Sequence, residues 1–301
     1  MDSFTARAPA KINLTLRVAG RRSDGLHEIE SLVVFSDISD ELGLDPLRPR
    51  GLEMLGPLRA ECGPAADNLV LKAAGALAAR VFDLKIGHFA LIKRIPVAAG
   101  LGGGSADAAA ALRLLAQANG LRPDDPRLHE AARVTGADVP VCLDPQPRIM
   151  RGAGEVLSAV VKLPPLPSVL VNPVVALPTR QVFDAFDKLS TGPLAQEAPL
   201  SFTTRDELLA LLQAQPNDLE AAAISLQPVI TEVLSALRDL PSCQIARVSG
   251  SGATCFGLFD TQEAAASAAR QLRTKRWDWW IEETTLGETL PEKPILGLDP
   301  G

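Results

Sequence analysis

The clearest capacity for chemistry lies in residues 96–118. Here Pro96-Val97-Ala98-Ala99-Gly100-Leu101-Gly102-Gly103-Gly104-Ser105-Ala106 runs through Asp107 into an alanine-rich stretch ending at Ala118. Four glycines in the five positions 100–104 weaken a fold unless something must approach the backbone there. Glycines leave N–H groups bare, and a helix start adds about +0.5 of a charge at the same point. This is the chemistry of a phosphate cradle, with Ser105 placed to cap the helix and Asn119-Gly120 to stop it. The same glycines could serve close packing alone, a reading that predicts no nucleotide binding.

Two better-known nucleotide loops do not fit. A P-loop ends in Gly-Lys-Ser/Thr, and no Gly-Lys pair occurs in the chain. The dinucleotide fingerprint needs glycine at its sixth position, which counted from Gly100 is Ser105. Phosphoryl transfer to an alcohol also needs charge neutralisation and a group that takes the hydroxyl proton. Lys11 and Asn13 share one side of a period-two run, and Asp138 stands in the turn Gly136-Ala137-Asp138-Val139-Pro140. Each has a structural alternative: an exposed strand lysine for Lys11, a turn aspartate bonding its own backbone for Asp138. Asp107 favours the helix start through the dipole.

The elements that must carry these residues follow from periodicity. Ile12, Leu14, Leu16 and Val18 alternate with polar residues as a strand with one buried face. Residues 21–25 form a turn, and His27 to Phe35 resumes as a strand. Asp67 or Asn68 caps a helix running to Val81. His88 to Ile95 is a strand that delivers the chain to the glycine loop. Pro126 to Val134 is a helix, closed by Gly136 and stopped at Pro140. The three prolines between Val161 and Pro167 mark a domain boundary. Beyond it come a strand at 169–175, helices at 181–189, 205–213 and 228–240, and a strand at 244–248. The turn Ser249-Gly250-Ser251-Gly252 then precedes a strand at 255–259 and a helix at 261–273. The layout is α+β, and Gly287 to Gly301 is an irregular tail.

Composition narrows the partners. A chain of 301 residues, 47% hydrophobic with net charge −6, can bury real cores and lacks the basic balance of a nucleic-acid binder. Cys62, Cys142, Cys243 and Cys255 lack metal-type spacing and read as buried thiols of a reducing compartment. The start shows no signal pattern, and the most apolar stretch, Val160 to Pro178, is broken by prolines. A cytoplasmic protein without membrane or nucleic-acid partners is the expectation.

Three segments, Pro9-Ala10-Lys11-Ile12-Asn13-Leu14, the glycine loop with its helix, and Ser249-Gly250-Ser251-Gly252-Ala253, together resemble the GHMP small-molecule kinases. Arg21 to His27, Asp67-Asn68-Leu69 and the Asp138 turn point, within that family, to the branch that phosphorylates the 2-hydroxyl of a cytidine-diphosphate sugar alcohol in non-mevalonate isoprenoid biosynthesis. Sister kinases of mevalonate, phosphomevalonate or homoserine are the alternative, and a non-catalytic sensor of the same fold a further one. The resemblance implies a two-domain α+β fold. Residues 1–162 would form an N-terminal domain with a left-handed βαβ crossover, and 163–286 a ferredoxin-like C-terminal domain, with the site between them.

It also implies roles. Asp138 is the base, paired with Lys11. Pro96, Gly100, Leu101, Gly102, Gly103, Gly104, Ser105 and Ala106 hold ATP phosphates bridged by Mg2+, whose protein ligands stay unassigned. Asn68 and Lys93 line the adenosine pocket, although each could be a cap or a surface lysine. Asn13 donates to substrate phosphate, and Gly250, Ser251 and Gly252 contact the acceptor. His27 reads the cytosine edge, Phe183 stacks on the base, and Thr179 bonds the ligand or caps its helix. Leu26 departs from the pattern: an aromatic residue often precedes the histidine, and its loss removes about 0.5–1.5 kcal/mol of stacking. The active protein is expected as a monomer or homodimer.

Overall fold

The computed structural model describes residues 4–189 and 202–287. One long strand organises the N-terminal half. β1 (Phe4–Asn13), β2 (Arg17–Arg21) and β3 (His27–Asp45) come first, and β3 pairs antiparallel with both of the others. Thirteen of its 19 residues are buried, with Leu32 to Phe35 among the apolar ones and Ser31, Ser36 and Asp40 among the polar ones. Farther along it also pairs β5 (His88–Ile92) and β6 (Arg148–Gly152), and β6 in turn pairs the short β7 (Val156–Leu157). β4 (Gly51–Leu55) runs parallel to β5, with α1 (Leu69–Ala78) between them as a βαβ unit.

α2 (Gly103–Ala118) packs against β1, β3 and α1. Its alanines explain how: Ala106 and Ala108 to Ala111 are buried, and small side chains let the helix lie close on the sheet. α3 (Pro126–Thr135) and α4 (Val139–Leu143) close this half.

The C-terminal half has its own sheet. β8 (Leu166–Asn172), β9 (Cys243–Val248), β10 (Cys255–Phe259) and β11 (Trp280–Leu286) lie in the order β11-β8-β10-β9, all neighbours antiparallel. Numbered along the chain that order is 4-1-3-2, with helices between β8 and β9 and between β10 and β11, which is the ferredoxin-like arrangement. The intervening helices are α5 (Thr179–Leu189), α6 (Arg205–Ala214), α7 (Glu220–Leu226), α8 (Val229–Arg238) and α9 (Gln262–Lys275). The pair Leu286↔Ser36 joins the two sheets.

Several expectations change. The strand expected to continue from Ile12 to Val18 stops at Asn13, because Leu14 to Leu16 turn their polar groups to the other half of the chain. Arg247 donates to the Leu14 carbonyl at 2.6 Å, Asp218 N–H to that of Leu16 at 2.8 Å, and Leu16 N–H donates to Pro216. Both faces of β1 are buried here, so Lys11 is 4% exposed and Asn13 1%. Ser105 does not cap α2. The helix starts two residues earlier, behind Gly102 at φ 61°, with no side-chain cap. Pro140 does not stop a helix but stands in the first turn of α4, where a missing N–H costs nothing. Of the four cysteines, all free, Cys142 and Cys255 are buried and Cys62 and Cys243 only partly so. The tail beyond Gly287 lies outside the described residues.

Candidate active site

A cleft of about 900 Å³ opens between the two halves and is walled by β1, the glycine loop, the start of α4, the β2–β3 turn and α5. Lys11 is fixed first. Its N–H donates to Leu101 O at 2.8 Å, tying β1 to the glycine loop, and its ammonium reaches Asp138 at 3.0 Å. Asp138 occupies the N-cap position of α4 yet makes no side-chain cap bond. Its carboxylate therefore points to Lys11 and the cleft rather than to its own backbone.

Asn13 lines the same wall. Ser31 Oγ gives its proton to the Thr15 carbonyl and so must accept from Asn13 Nδ2, at 2.7 Å. That leaves Asn13 Oδ1 buried and unbonded. One of the two Nδ2 hydrogens is thus engaged with Ser31, and Asn13 Oδ1 adds an acceptor on this wall, suited to a hydroxyl.

The glycine loop is locked to the second glycine turn. Ser249 Oγ donates to Gly100 O at 3.1 Å and accepts from Asn13 N–H at 3.2 Å, while Thr254 N–H donates to Ala99 O at 3.1 Å. Gly100, at φ 75°, has no room for a side chain: a Cβ would sit 2.5 Å from Ser249 O and 2.7 Å from Gly252 O. Gly100→Ala should therefore lose about 2–4 kcal/mol in urea unfolding, the sum of left-handed strain and overpacking. Gly104→Ala, whose Cβ meets only Leu69 at 3.4 Å, should lose nothing measurable in the same experiment.

Beyond the loop, the N–H groups of Gly103, Gly104 and Ser105 start α2 with no carbonyl behind them and border the cleft. Gly103 is required for an unexpected reason: its Cβ would meet Lys93 Nζ and Ile95 Cγ2, both at 3.1 Å, on the inner side. Lys93 is 2% exposed and is neither a surface lysine nor part of the cleft wall. It pairs with Asp40 on β3 and, at 2.8 Å, with Asp107 on α2. Asp40 Oδ1 also accepts from the N–H groups of Arg94 and Ile95, so the triad braces both flanks of the loop. Burial pushes Asp107 up to about 7, with Lys93 opposing and Asp40 adding to the rise. Burial alone would lower Lys93, but Asp107 and Asp40 outweigh it and the net movement is upward.

Other expected site residues lie behind the wall. Pro96, Leu101, Ala106 and Gly252 are buried and do not line the cleft. Asn68 caps α1, accepting from Val70 N–H at 3.0 Å.

At the far end, His27 and Phe183 stack with ring centroids 4.6 Å apart and 21° between planes. His27 Nε2 is 2.8 Å from Asp187, which also pairs with Arg21 at 3.5 Å. Phe183 thus carries an imidazole on its face rather than packing only into the helix core. Leu26 lines the cleft 52% exposed. Thr179 Oγ1 bonds Ser251 Oγ at 3.0 Å, linking α5 to the second glycine turn.

The GHMP kinases N terminal domain matches residues 68–144, and the GHMP kinases C terminal domain residues 201–278. The 4-diphosphocytidyl-2-C-methyl-D-erythritol kinase of Xanthobacter autotrophicus is 53% identical over 292 residues, 95% of this chain and 100% of that protein. That of Methylobacterium radiotolerans is 54% identical over 95% of this chain and 100% of its own. The chain belongs to this kinase family. A crystal structure of 4-(cytidine 5'-diphospho)-2C-methyl-D-erythritol kinase superposes with TM-score 0.76 at 34% identity, covering 95% of this chain and 100% of that one. Homoserine kinase from Cytophaga hutchinsonii, at 20% identity and TM-score 0.66, shares the fold.

The structure brings in side chains that sequence patterns did not expose. Asp40 was hidden inside a strand, although a carboxylate at an otherwise apolar strand position is itself a signal of a buried partner. Asp187 and Arg180 share a face of α5 with Phe183 through the spacing i, i+3, i+7, which could have found them. Among the described residues, no helix is long and apolar enough to cross a membrane and no cluster of three or more His, Cys, Asp or Glu could hold a metal ion.

Proposed function

We propose that this chain transfers the γ-phosphoryl group of ATP to the 2-hydroxyl of 4-(cytidine 5'-diphospho)-2-C-methyl-D-erythritol, as a cytoplasmic monomer or homodimer. A division at 162/163 belongs to the same reading, supported by family matches on either side of it. The observation that carries the reading is the Lys11–Asp138 pair, 3.0 Å apart, facing a helix start with unpaired N–H groups across one cleft.

The ATP phosphates lie along Gly102, Gly103, Gly104 and Ser105, where the backbone N–H groups and the helix dipole meet their charge. Asp138 takes the proton of the acceptor hydroxyl at its carboxylate, and Lys11 keeps that carboxylate aimed while offering positive charge to the developing alkoxide. Asn13 Oδ1 accepts from a second hydroxyl of the acceptor and so fixes which one meets the phosphate. Ser105, whose hydroxyl borders the cleft, would supply a protein oxygen to Mg2+, which would offset phosphate charge when bound. Asp107, engaged with Lys93, would supply none.

At the acceptor end, His27 and Phe183 hold the cytosine. A coupled ADP-release assay with the cytidine-diphosphate methylerythritol substrate, beside mevalonate and homoserine, tests this. Turnover with the first alone is expected, and a higher kcat/KM for either of the others overturns the assignment.

A further inference from the structure

The cleft that must take two polyanions has few cations to spare. Lys11 is committed to Asp138 and Arg21 to Asp187. Arg180 also lines the cleft, and among the described residues no carboxylate pairs with it, not even Asp184 one turn along on the same wall. It stands in the first turn of α5, next to the Thr179–Ser251 contact that reaches toward the glycine loop and three residues before Phe183. A cation there works against the helix dipole, so the helix gains nothing by it.

Position along α5 gives the cation a use. Phe183 and Arg180 are about one turn apart on one face, close to the spacing between a pyrimidine base and the diphosphate on its ribose. We infer that Arg180 binds the diphosphate of the acceptor, fixing the substrate by charge in a cleft that Leu26 lines instead of an aromatic ring. This inference rests on the acceptor assignment above. It makes the cleft selective for cytidine compounds that carry a diphosphate over those that do not, and makes their affinity salt-dependent.

The test is a calorimetric titration of the full chain saturated with a non-hydrolysable ATP analogue, using CDP and cytidine as probes. Wild type should bind CDP more tightly than cytidine. Arg180→Ala should weaken CDP about tenfold and leave cytidine unchanged, while Arg180→Lys should keep most of the difference. Arg180 is exposed, so the melting temperature of the variants should match wild type. Equal binding of CDP and cytidine by wild type, unchanged CDP binding by Arg180→Ala, or a parallel loss for both probes would each overturn the inference. Failure of wild type to bind either probe would instead overturn the acceptor assignment, and the inference with it.

Discussion

Asp138→Asn is expected to lower kcat by about 10²–10⁴-fold while leaving the KM for ATP within about twofold, the range for losing a positioned general base. The substitution keeps the shape and the capacity to accept a hydrogen bond from Lys11, and removes the basicity together with the negative charge. The side chain is 35% exposed and makes no cap bond to α4, so the helix start does not depend on it. The proposed ATP side is built from backbone groups of residues 100–105, none of which contacts Asp138 through a hydrogen bond. Single-turnover and steady-state rates, with nucleotide affinity measured separately, distinguish a chemical defect from a binding one. Normal turnover by the variant would remove Asp138 from proton transfer, and a loss confined to ATP affinity would make it a nucleotide contact.

Lys93→Met should destabilise the protein by about 3–5 kcal/mol, because it leaves Asp40 and Asp107 buried without their cation. The effect should depend on pH. Asp107, pushed up to about 7 mainly by burial, keeps its proton in the folded chain after the unfolded chain has released it. A folded value above the unfolded one means that this contribution is present below about 4 and is lost as pH rises through about 7. Urea unfolding of wild type should therefore show a decline across that window, which Asp107→Asn flattens. The deficit of Lys93→Met should be larger at pH 8 than at pH 5, because without Lys93 nothing offsets the burial that raises Asp107, and holding its proton costs more as pH rises. A pH-independent deficit would show that Lys93 acts through packing alone. ATP affinity should fall with stability in Lys93→Met, because the same triad holds Ile95 N–H before the glycine loop and α2 after it.

Local chemistry in the sequence carried the reading a long way. Glycine density, Asn68 as a cap, the strand leading into the glycine loop and the turn at 249–252 all gave elements within a few residues of those observed. What stayed hidden depended on distant partners. β11, WIEETTL, has four consecutive polar residues, and only its pairing with β8 makes it a strand. β6 contains Arg148 and Arg151, and although Arg148 pairs locally with Asp144, Arg151 finds Glu30 only across the fold. α7 begins with no side-chain cap and ends without glycine, so Pro228 behind it is the main local signal of its boundary. The same holds in the site. Gly103 looked like room for an anion, and its inner side proved to be filled by Lys93, a contact no local pattern encodes.

The seam between Gly100 and Ser249 has a consequence for synthesis. Asn13, Gly100 and Ser249 meet although 236 residues separate the first from the last. As the chain leaves the ribosome, its glycine loop waits with unmet polar groups until the turn at 249–254 has emerged to clasp it. The cleft therefore cannot close up before residues 249–254 are made, and chains truncated before Ser249 would carry the signature glycines without the seam that holds them.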